Sequence, residues 1–304
     1  MTENSTTAFA FPGMGIRLTG FERALFLRHR RKMLPFLEEA GAAATVDFVN
    51  LLEREERHDL DDRNSQVFTF AFSAALSDVL QSEGLVPQYA AGYSFGLYAA
   101  LFATRALPFS DILSCVCFAF DAMRDACAGR AWGMAALIGL GLPEIESLLQ
   151  DSLTVVNVNS DACVIVAGMR SDLDEFCARA MSRQAIKAEL LPVDIPYHSS
   201  AVLASASDRL RDFCTSLPWQ TPLFPLISSV DGRLLTHANE VSDYTARHIS
   251  TPLSWLAAVG RLHELGVSRI IECGPGVSLS RHGSFMAFDI SYVNVKNIRR
   301  RSGI

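Results

Sequence analysis

Residues 88–104, QYAAGYSFGLYAALFAT, decide the fold of this 304-residue chain. The segment predicts a short strand over residues 88–92, a sharp turn at Ser94 and a helix over residues 95–104. A strand that turns at once into a helix is the repeating unit of α/β proteins, which bind ligands at the carboxyl ends of their strands. We therefore expect an α/β protein that presents a functional side chain at this turn.

The turn itself, Gly92-Tyr93-Ser94-Phe95-Gly96, is a Gly-x-Ser-x-Gly element. In a nucleophile elbow the glycines allow a tight turn, the serine hydroxyl stands above the sheet, and the helix N-terminus favours negative charge. The pentapeptide fits a glycine-bearing turn with a solvent-facing serine equally well, because it is short and both residue types are common. Ser94 is therefore a candidate nucleophile, and it needs a base to take its proton.

The sequence offers seven histidines as that base. His198 lies in residues 194–200, DIPYHSS, where an apolar strand meets a new helix and Pro196 restricts the backbone. The other histidines lie in polar or charged surroundings or, like His248, away from any strand-to-helix junction. A loop histidine without a function is the alternative for His198 when this segment is considered by itself. His198 is the best candidate for the general base.

The remaining segments predict a large α/β part that carries an insertion. Strands and helices of the large part are predicted over residues 7–11, 20–40, 64–81, 200–216, 225–228, 251–264 and 269–272. Residues 133–193 predict the order β-α-β-β-α-β, which is that of a ferredoxin-like domain. We expect a large domain of residues 1–128 and 196–304, and a small domain of residues 129–195.

The composition, 49% hydrophobic and 20% charged, is typical of a globular protein. A formal net charge of −6 gives no chain-wide reason to bind nucleic acid, whose binding depends on neutralising phosphates. Seven cysteines without metal-ligand spacing predict reduced thiols in a reducing compartment. The first residues lack a basic start followed by an apolar stretch, and no apolar run reaches about 18 residues, so we expect neither export nor membrane insertion. We expect a cytoplasmic protein that binds no metal, nucleic acid or membrane.

Six short motifs follow one another along the chain. They are residues 11–15 (FPGMG), 92–100 (GYSFGLYAA), 133–136 (GMAA), 157–160 (NVNS), 197–199 (YHS) and 272–276 (ECGPG). In this order they resemble the malonyl-CoA:acyl carrier protein transacylases and the acyltransferase domains of polyketide and fatty acid synthases. The resemblance runs from Phe9 to about Ser280. It implies a large α/β-hydrolase-like domain with a parallel sheet and an inserted small ferredoxin-like domain.

The resemblance also implies ping-pong catalysis, in which Ser94 attacks a thioester carbonyl and His198 accepts the serine proton. A second thiol then attacks the acyl-serine. By the same resemblance, the backbone carbonyl of His248 orients His198, and the backbone N–H groups of Phe95 and Met14 form the oxyanion hole. The implied substrate is an acyl-CoA or phosphopantetheine thioester, the implied partner is an acyl carrier protein, and no cofactor is bound permanently.

One departure from the family pattern concerns the acyl group. Members that use malonyl or methylmalonyl groups carry Arg-Gly-x-x-Met, and the arginine holds the free carboxylate with two parallel hydrogen bonds. Here Met123 is present, but the arginine position is Ala119 and its neighbour is Phe120. Arg124 is five residues further along the helix and points away from the required face. Because an unpaired buried carboxylate is strongly disfavoured, we predict an uncharged acyl group.

Further substrate contacts are implied by the resemblance for Gln66, Tyr93, Asn159 and Tyr197. Tyr93 and Leu97 stand where the family has histidine and glutamate, which predicts a less polar pocket. For Gln66, an ordinary position on the surface of a helix is the alternative.

Three functions are compatible with these residues. The first is an acyltransferase that moves an uncharged acyl group between coenzyme A and the phosphopantetheine thiol of a carrier protein. The second is a hydrolase that clears acyl groups from carrier proteins, and the third is a non-catalytic relative that only binds one. The presence of both Ser94 and His198 favours catalysis. Basic clusters at residues 28–32 and 299–301 are compatible with docking an acidic carrier protein, although solvated surface is the simpler interpretation.

Overall fold

The computed structural model describes residues 6–14, 20–54 and 60–294. Gly15 of the first motif and the basic cluster at residues 299–301 lie outside the described residues. The described chain contains two β-sheets with helices packed around them, so the predicted mixed α/β class is confirmed.

The strands of the described residues are β1 (Thr7–Phe11), β2 (Tyr89–Gly92), β3 (Trp132–Ile138), β4 (Thr154–Ser160), β5 (Cys163–Met169), β6 (Lys187–Leu190), β7 (Leu226–Ile227), β8 (Leu234–Leu235), β9 (Leu253–Ser254), β10 (Arg269–Glu272) and β11 (Ser291–Asn294). The helices are α1 (Gly20–Ala44), α2 (Phe48–Glu53), α3 (Asp62–Ser82), α4 (Leu97–Ala103), α5 (Phe109–Ala126), α6 (Leu142–Leu148), α7 (Arg170–Ser182), α8 (Ser200–Cys214), α9 (Ala238–His248), α10 (Trp255–Glu264) and α11 (Ser278–Gly283). A single 3₁₀ turn, Ser94–Gly96, joins β2 to α4.

The larger sheet has the strand order β11-β10-β1-β2-β7-β8. Its neighbouring strands are parallel except for the antiparallel edge pair β7 and β8. Every residue of β1 is buried, as expected for a central strand covered on both faces. Phe11 pairs with Gly92, so β1 and β2 end side by side. The loop with Met14 and the turn with Ser94 therefore leave the same edge of the sheet.

The smaller sheet has the strand order β6-β3-β5-β4-β9. The elements from β3 to β6 follow the predicted order β-α-β-β-α-β, and their neighbouring strands are antiparallel. Buried side chains of α7 and of the strands form a separate core that includes Leu137, Val164, Leu173 and Phe176. β9 comes from the chain after the insertion and pairs in parallel with β4. The sheet thus extends across the predicted domain boundary.

Several elements differ from the sequence prediction, and α2, α11, β8 and β11 were not predicted. The helix predicted over residues 251–264 begins only at Trp255, because Leu253 and Ser254 pair with β4 and are held extended. Helix α9 was not predicted. Its start has a local signal, since the Glu240 carboxylate accepts the backbone N–H of His237 in a capping box.

The structure also describes the cysteines, possible membrane spans and metal sites, and the basic cluster at residues 28–32. All seven cysteines are free, and four of them are buried. No helix within the described ranges has the length and apolar character that a membrane span requires. In the same ranges, no three histidine, cysteine or acidic side chains come together as a metal site. The basic residues at 28–32 lie on α1, where Arg30 pairs with Glu53 at 3.1 Å.

Candidate active site

Ser94 lies at the carboxyl end of β2, in the turn that leads into α4. Its φ is +49°, a left-handed conformation that residues other than glycine rarely adopt. A Cβ at Gly92 would overlap the backbone of Leu97, and a Cβ at Gly96 would overlap the carbonyl oxygen of Phe11. Both positions therefore require glycine. The turn has the strained backbone of a nucleophile elbow.

His198 comes from the second half of the chain and meets Ser94 directly. Ser94 Oγ lies 2.7 Å from His198 Nε2, and His198 Nδ1 lies 2.9 Å from the backbone carbonyl oxygen of His248. A carbonyl oxygen only accepts hydrogen bonds, so Nδ1 carries the proton and Nε2 is free to accept one from the serine. The backbone N–H of His198 donates to the carbonyl oxygen of Ile249 at 3.0 Å. Two neighbouring carbonyls thus hold the ring and the backbone of His198.

The imidazole of His198 is neutral at physiological pH. Its residue is only 4% exposed, and burial lowers the pKa of His198 to about 4, against hydrogen bonds to the carbonyls of His248 and Thr251 that raise it. A neutral imidazole is the protonation state in which histidine accepts a proton. The hydrogen-bonded pair is therefore in the form that general-base catalysis requires.

A cavity of about 20 Å³ surrounds this pair. Its walls are formed by Met14, Gln66, Ser94, Phe95, Tyr98, Met123, Tyr197, His198, His248 and Ile249. Gln66 is only 2% exposed and donates from Nε2 to Tyr197 Oη at 2.9 Å. Its position inside the protein excludes the alternative of a helix-surface glutamine.

Met14 and Phe95, whose N–H groups are the expected oxyanion donors, both line this cavity. The two loops are joined at their bases, because the Tyr93 N–H donates to the Phe11 carbonyl oxygen at 2.9 Å. Within the part of the chain that the structure describes, no backbone carbonyl accepts the N–H of Met14. A substrate oxygen is a suitable acceptor for such a donor.

Four residues expected to contact substrate do not line the cavity. Ala119 and Phe120 are buried in α5, one turn before Met123, which does line it. Asn159 Nδ2 lies 3.6 Å from the sulfur of Cys163. The side chain of Tyr93 points away from that of Ser94, and its hydroxyl accepts a hydrogen bond from Asn157.

Two residues that line the cavity, Tyr98 and Ile249, were not predicted from the sequence. Tyr98 is four residues after Ser94, a spacing that places two side chains on the same side of a helical segment. That spacing is a signal that the sequence contains. Ile249 follows His248, and only the packing of the loop after α9 brings it to the cavity.

Protonation of the buried histidines is expected to make the protein less stable in mild acid, whereas the raised pKa of the buried Glu272 acts in the opposite direction. Burial lowers the pKa of His198 to about 4 and also lowers those of His248 and His282. Below about pH 6.5 the unfolded chain binds protons on these rings that the folded chain does not, so stability falls as the pH falls through this range. Between pH 7 and pH 5 we expect a loss of up to ~2 kcal/mol per buried histidine, measured by urea unfolding.

The variant His198→Gln isolates the contribution of one ring, because carboxylates titrate equally in both proteins. Its free energy of unfolding should depend less steeply on pH than that of the wild type between pH 7 and pH 5. Identical slopes in the two proteins would contradict a neutral buried His198.

The fold and the site define an α/β protein that presents a serine, hydrogen-bonded to a histidine, at a sharp turn between a strand and a helix. The comparison with protein families identifies the family to which the chain belongs. The model of the acyl transferase domain matches residues 8–286, and the chain belongs to this acyl transferase family.

Relatives and solved structures of the same kind resemble the chain over nearly its whole length. The malonyl CoA-acyl carrier protein transacylases of Salmonella typhimurium and Escherichia coli K12 are 29% and 28% identical to it over 284 residues, which are 90% of each chain. The crystal structure of an acyl-carrier-protein S-malonyltransferase from Burkholderia pseudomallei 1710b is 28% identical, with a TM-score of 0.86 and coverage of 95% of this chain and 96% of that one. The corresponding transacylase of Coxiella burnetii is 26% identical, with a TM-score of 0.87, and the match covers 95% and 93% of the two chains.

Proposed function

We propose that this chain transfers an uncharged acyl group between coenzyme A and an acyl carrier protein through an acyl-serine at Ser94. Membership of the acyl transferase family supports acyl transfer, and the relatives are named for coenzyme A and acyl carrier protein. The contact of 2.7 Å between Ser94 Oγ and His198 Nε2 is the observation that carries the proposal.

The geometry supports a reaction in two halves. His198 Nε2 takes the proton of Ser94 as Oγ bonds to the thioester carbonyl carbon, and the N–H groups of Phe95 and Met14 stabilise the resulting oxyanion. The carbonyl of His248 stabilises the imidazolium through the proton on Nδ1. The carbon–sulfur bond then breaks, and His198 returns the proton to the departing thiolate. A second thiol attacks the acyl-serine by the same steps in reverse and regenerates the serine.

The charges around the cavity support an uncharged acyl group. No lysine or arginine is among the residues that line it. The side chain of Arg124 is 66% exposed and pairs with Asp121 at 3.6 Å, so it is directed to the surface. After burial itself, the largest influence on the pKa of Tyr197 is the carboxylate of Asp62, which raises it. A malonyl carboxylate would therefore find no lysine or arginine to pair with among the residues that line the cavity.

The size of the cavity supports a short acyl chain. Its volume of about 20 Å³ holds roughly one water molecule. Two of its walls are Met14 and Met123, whose unbranched side chains adapt readily to a new neighbour. We therefore expect these side chains to make room for an acetyl group more readily than for a long chain.

A panel of acyl-CoA thioesters tests this proposal. We expect acetyl-CoA and butyryl-CoA to acylate Ser94, and malonyl-CoA to do so about 100-fold more slowly, because an unpaired buried carboxylate is disfavoured by several kcal/mol. Intact-protein mass spectrometry measures the adduct over time. Equally fast malonyl loading would contradict the uncharged acyl group. If holo-carrier protein yields free acid in place of acyl-carrier protein, the chain is a hydrolase and transfer is ruled out.

The double variant Ala119→Arg, Phe120→Gly tests the missing cation. It supplies the arginine of the family motif and, by removing the buried Phe120 ring, makes room for it. We expect malonyl loading to rise at least ~10-fold, because the guanidinium pairs with the carboxylate. The control Ala119→Met, Phe120→Gly has similar bulk without charge and should load malonyl as slowly as the wild type. Thermal unfolding of both variants verifies that they are folded.

We also infer the division into a large hydrolase-like domain, residues 1–128 and 196–304, and a ferredoxin-like domain, residues 129–195. The separate core of the small sheet and its strand order β6-β3-β5-β4 support the second. The parallel strands that end at the Ser94 turn support the first.

The free cysteines support a reducing, cytoplasmic compartment.

A further inference from the structure

Tyr93 precedes Ser94 and connects the nucleophile turn to distant parts of the chain. Its hydroxyl accepts a hydrogen bond from Asn157 Nδ2 at 2.9 Å, and Asn157 belongs to β4 of the smaller sheet. Its ring packs edge-on against Trp255, with centroids 5.6 Å apart, and against His282, at 5.4 Å. The side chain of the residue before Ser94 therefore contacts the smaller sheet, α10 and α11.

Tyr93 also contacts the loop that carries the other expected oxyanion donor. A Cβ on Gly13 would lie 3.0 Å from Tyr93 Cδ1, so the ring rests directly on the Gly13 backbone. Gly13 precedes Met14 in the chain, just as Tyr93 and Ser94 precede Phe95. The Tyr93 ring thus contacts the backbone that leads to Met14, while its own backbone leads through Ser94 to Phe95.

The hydrogen bond to Asn157 restricts where this ring can lie. Asn157 is 4% exposed, and its Oδ1 has no hydrogen-bond partner among the described residues. Burial raises the pKa of Tyr93 far above its usual value, although the amides of Asn159 and Asn157 lower it, so the hydroxyl is uncharged. Oxyanion donors act only when they are held at hydrogen-bond distance from the developing charge, and a displacement of about 1 Å is enough to slow catalysis strongly.

From these contacts we infer that Tyr93 is a positioning residue, whose hydroxyl, held by Asn157, keeps the Met14 and Phe95 N–H groups at the spacing of an oxyanion hole. This inference rests on the proposed acyl-serine chemistry. The smaller sheet thereby contributes to catalysis through a residue that does not line the acyl cavity. Its effect is on the transition state, and it leaves the binding of the thioester unchanged.

The variant Tyr93→Phe removes only the hydroxyl and keeps the ring against Gly13, Trp255 and His282. We expect kcat for acyl transfer to fall about 10- to 100-fold, less than the loss of a complete oxyanion donor, with KM for acyl-CoA within about twofold of wild type. The control is Tyr292→Phe, which removes a buried hydroxyl of β11 that has no hydrogen-bond partner in the described ranges. It should leave kcat and KM unchanged.

The variant Asn157→Ala and the double variant Tyr93→Phe, Asn157→Ala show whether the Tyr93 hydroxyl acts through the Asn157 amide. If it does, the losses are not additive, and kcat of the double variant matches that of Tyr93→Phe. Additive losses, a Tyr93→Phe kcat within twofold of wild type, or a raised KM at unchanged kcat would overturn the inference. After any of these three results, the proposed function still holds if the wild-type protein forms the acyl adduct on Ser94. A wild type that forms no adduct with any thioester overturns both.

Discussion

Replacing Ser94 by alanine is expected to abolish acyl loading and to lower acyl transfer by about 10⁴-fold or more, because the proposed acyl-serine cannot form. The structure supports this size of effect, since Ser94 Oγ is the atom that His198 Nε2 contacts at 2.7 Å. Loading is followed by the mass of the intact protein, and transfer by the appearance of acyl-carrier protein. The control Ser114→Ala removes an exposed hydroxyl that bonds only to the carbonyl of Ser110, and it should behave as wild type.

The histidine variant decides whether the two residues act as a unit. His198→Ala should lose nearly as much activity as Ser94→Ala, and the double variant should lose no more than either one. Because the carbonyl of His248 is a backbone group, it is present in all three proteins. Substantial loading in His198→Ala would mean that another base serves Ser94, and the proposed mechanism would be wrong.

Alanine at Gly96 is expected to destabilise the fold by about 3 kcal/mol and to abolish acyl loading, since overpacking against rigid neighbours is strongly unfavourable. The added Cβ would overlap the Phe11 carbonyl oxygen and lie 2.8 Å from that of Pro12. Both oxygens belong to the backbone at the end of β1, which continues into the loop with Met14. Relief of the overlap therefore moves the nucleophile turn and an expected oxyanion donor apart.

Gly20→Ala is the matched control for this substitution. A Cβ at Gly20 meets nothing within 4 Å, and the residue begins α1. Its free energy of unfolding should stay within about 0.5 kcal/mol of wild type. Urea unfolding measures both variants. A Gly96→Ala protein with the wild-type unfolding midpoint and loading rate would show that the turn tolerates a side chain.

Ser94 was predictable because it lies at a strand-to-helix junction, which is a local feature of the sequence. His198 lies in the loop between β6 and α8, and its prediction also depended on the family motif at residues 197–199. The order of strands and helices in the insertion was predictable, since apolar alternation and turn residues are local. The start of helix α10 could not be predicted from local features of the sequence. Its first predicted turn is extended in the structure, because hydrogen bonds from β4, about 95 residues away, outweigh the local preference.

The direction of a side chain at a junction was the least predictable property. Tyr93 and Ser94 are adjacent, yet one packs on Trp255 and the other faces the cavity. The positive φ of Ser94 contributes to this difference in direction. A sequence motif does not specify which residues each side chain contacts. The same holds for Gln66, which the sequence left open between pocket and surface.

By itself, the sequence determined the α/β class, the glycines that the Ser94 turn requires, the family, and the absence of an arginine at position 119. These depend on residue types and spacings within one segment. Only the tertiary structure decided that Ser94 and His198, 104 residues apart, lie 2.7 Å from each other, that burial keeps the imidazole neutral, and that Asn157 holds Tyr93. Such properties arise when separate segments pack together, because distance and desolvation depend on every neighbour of a group and not on its own segment alone.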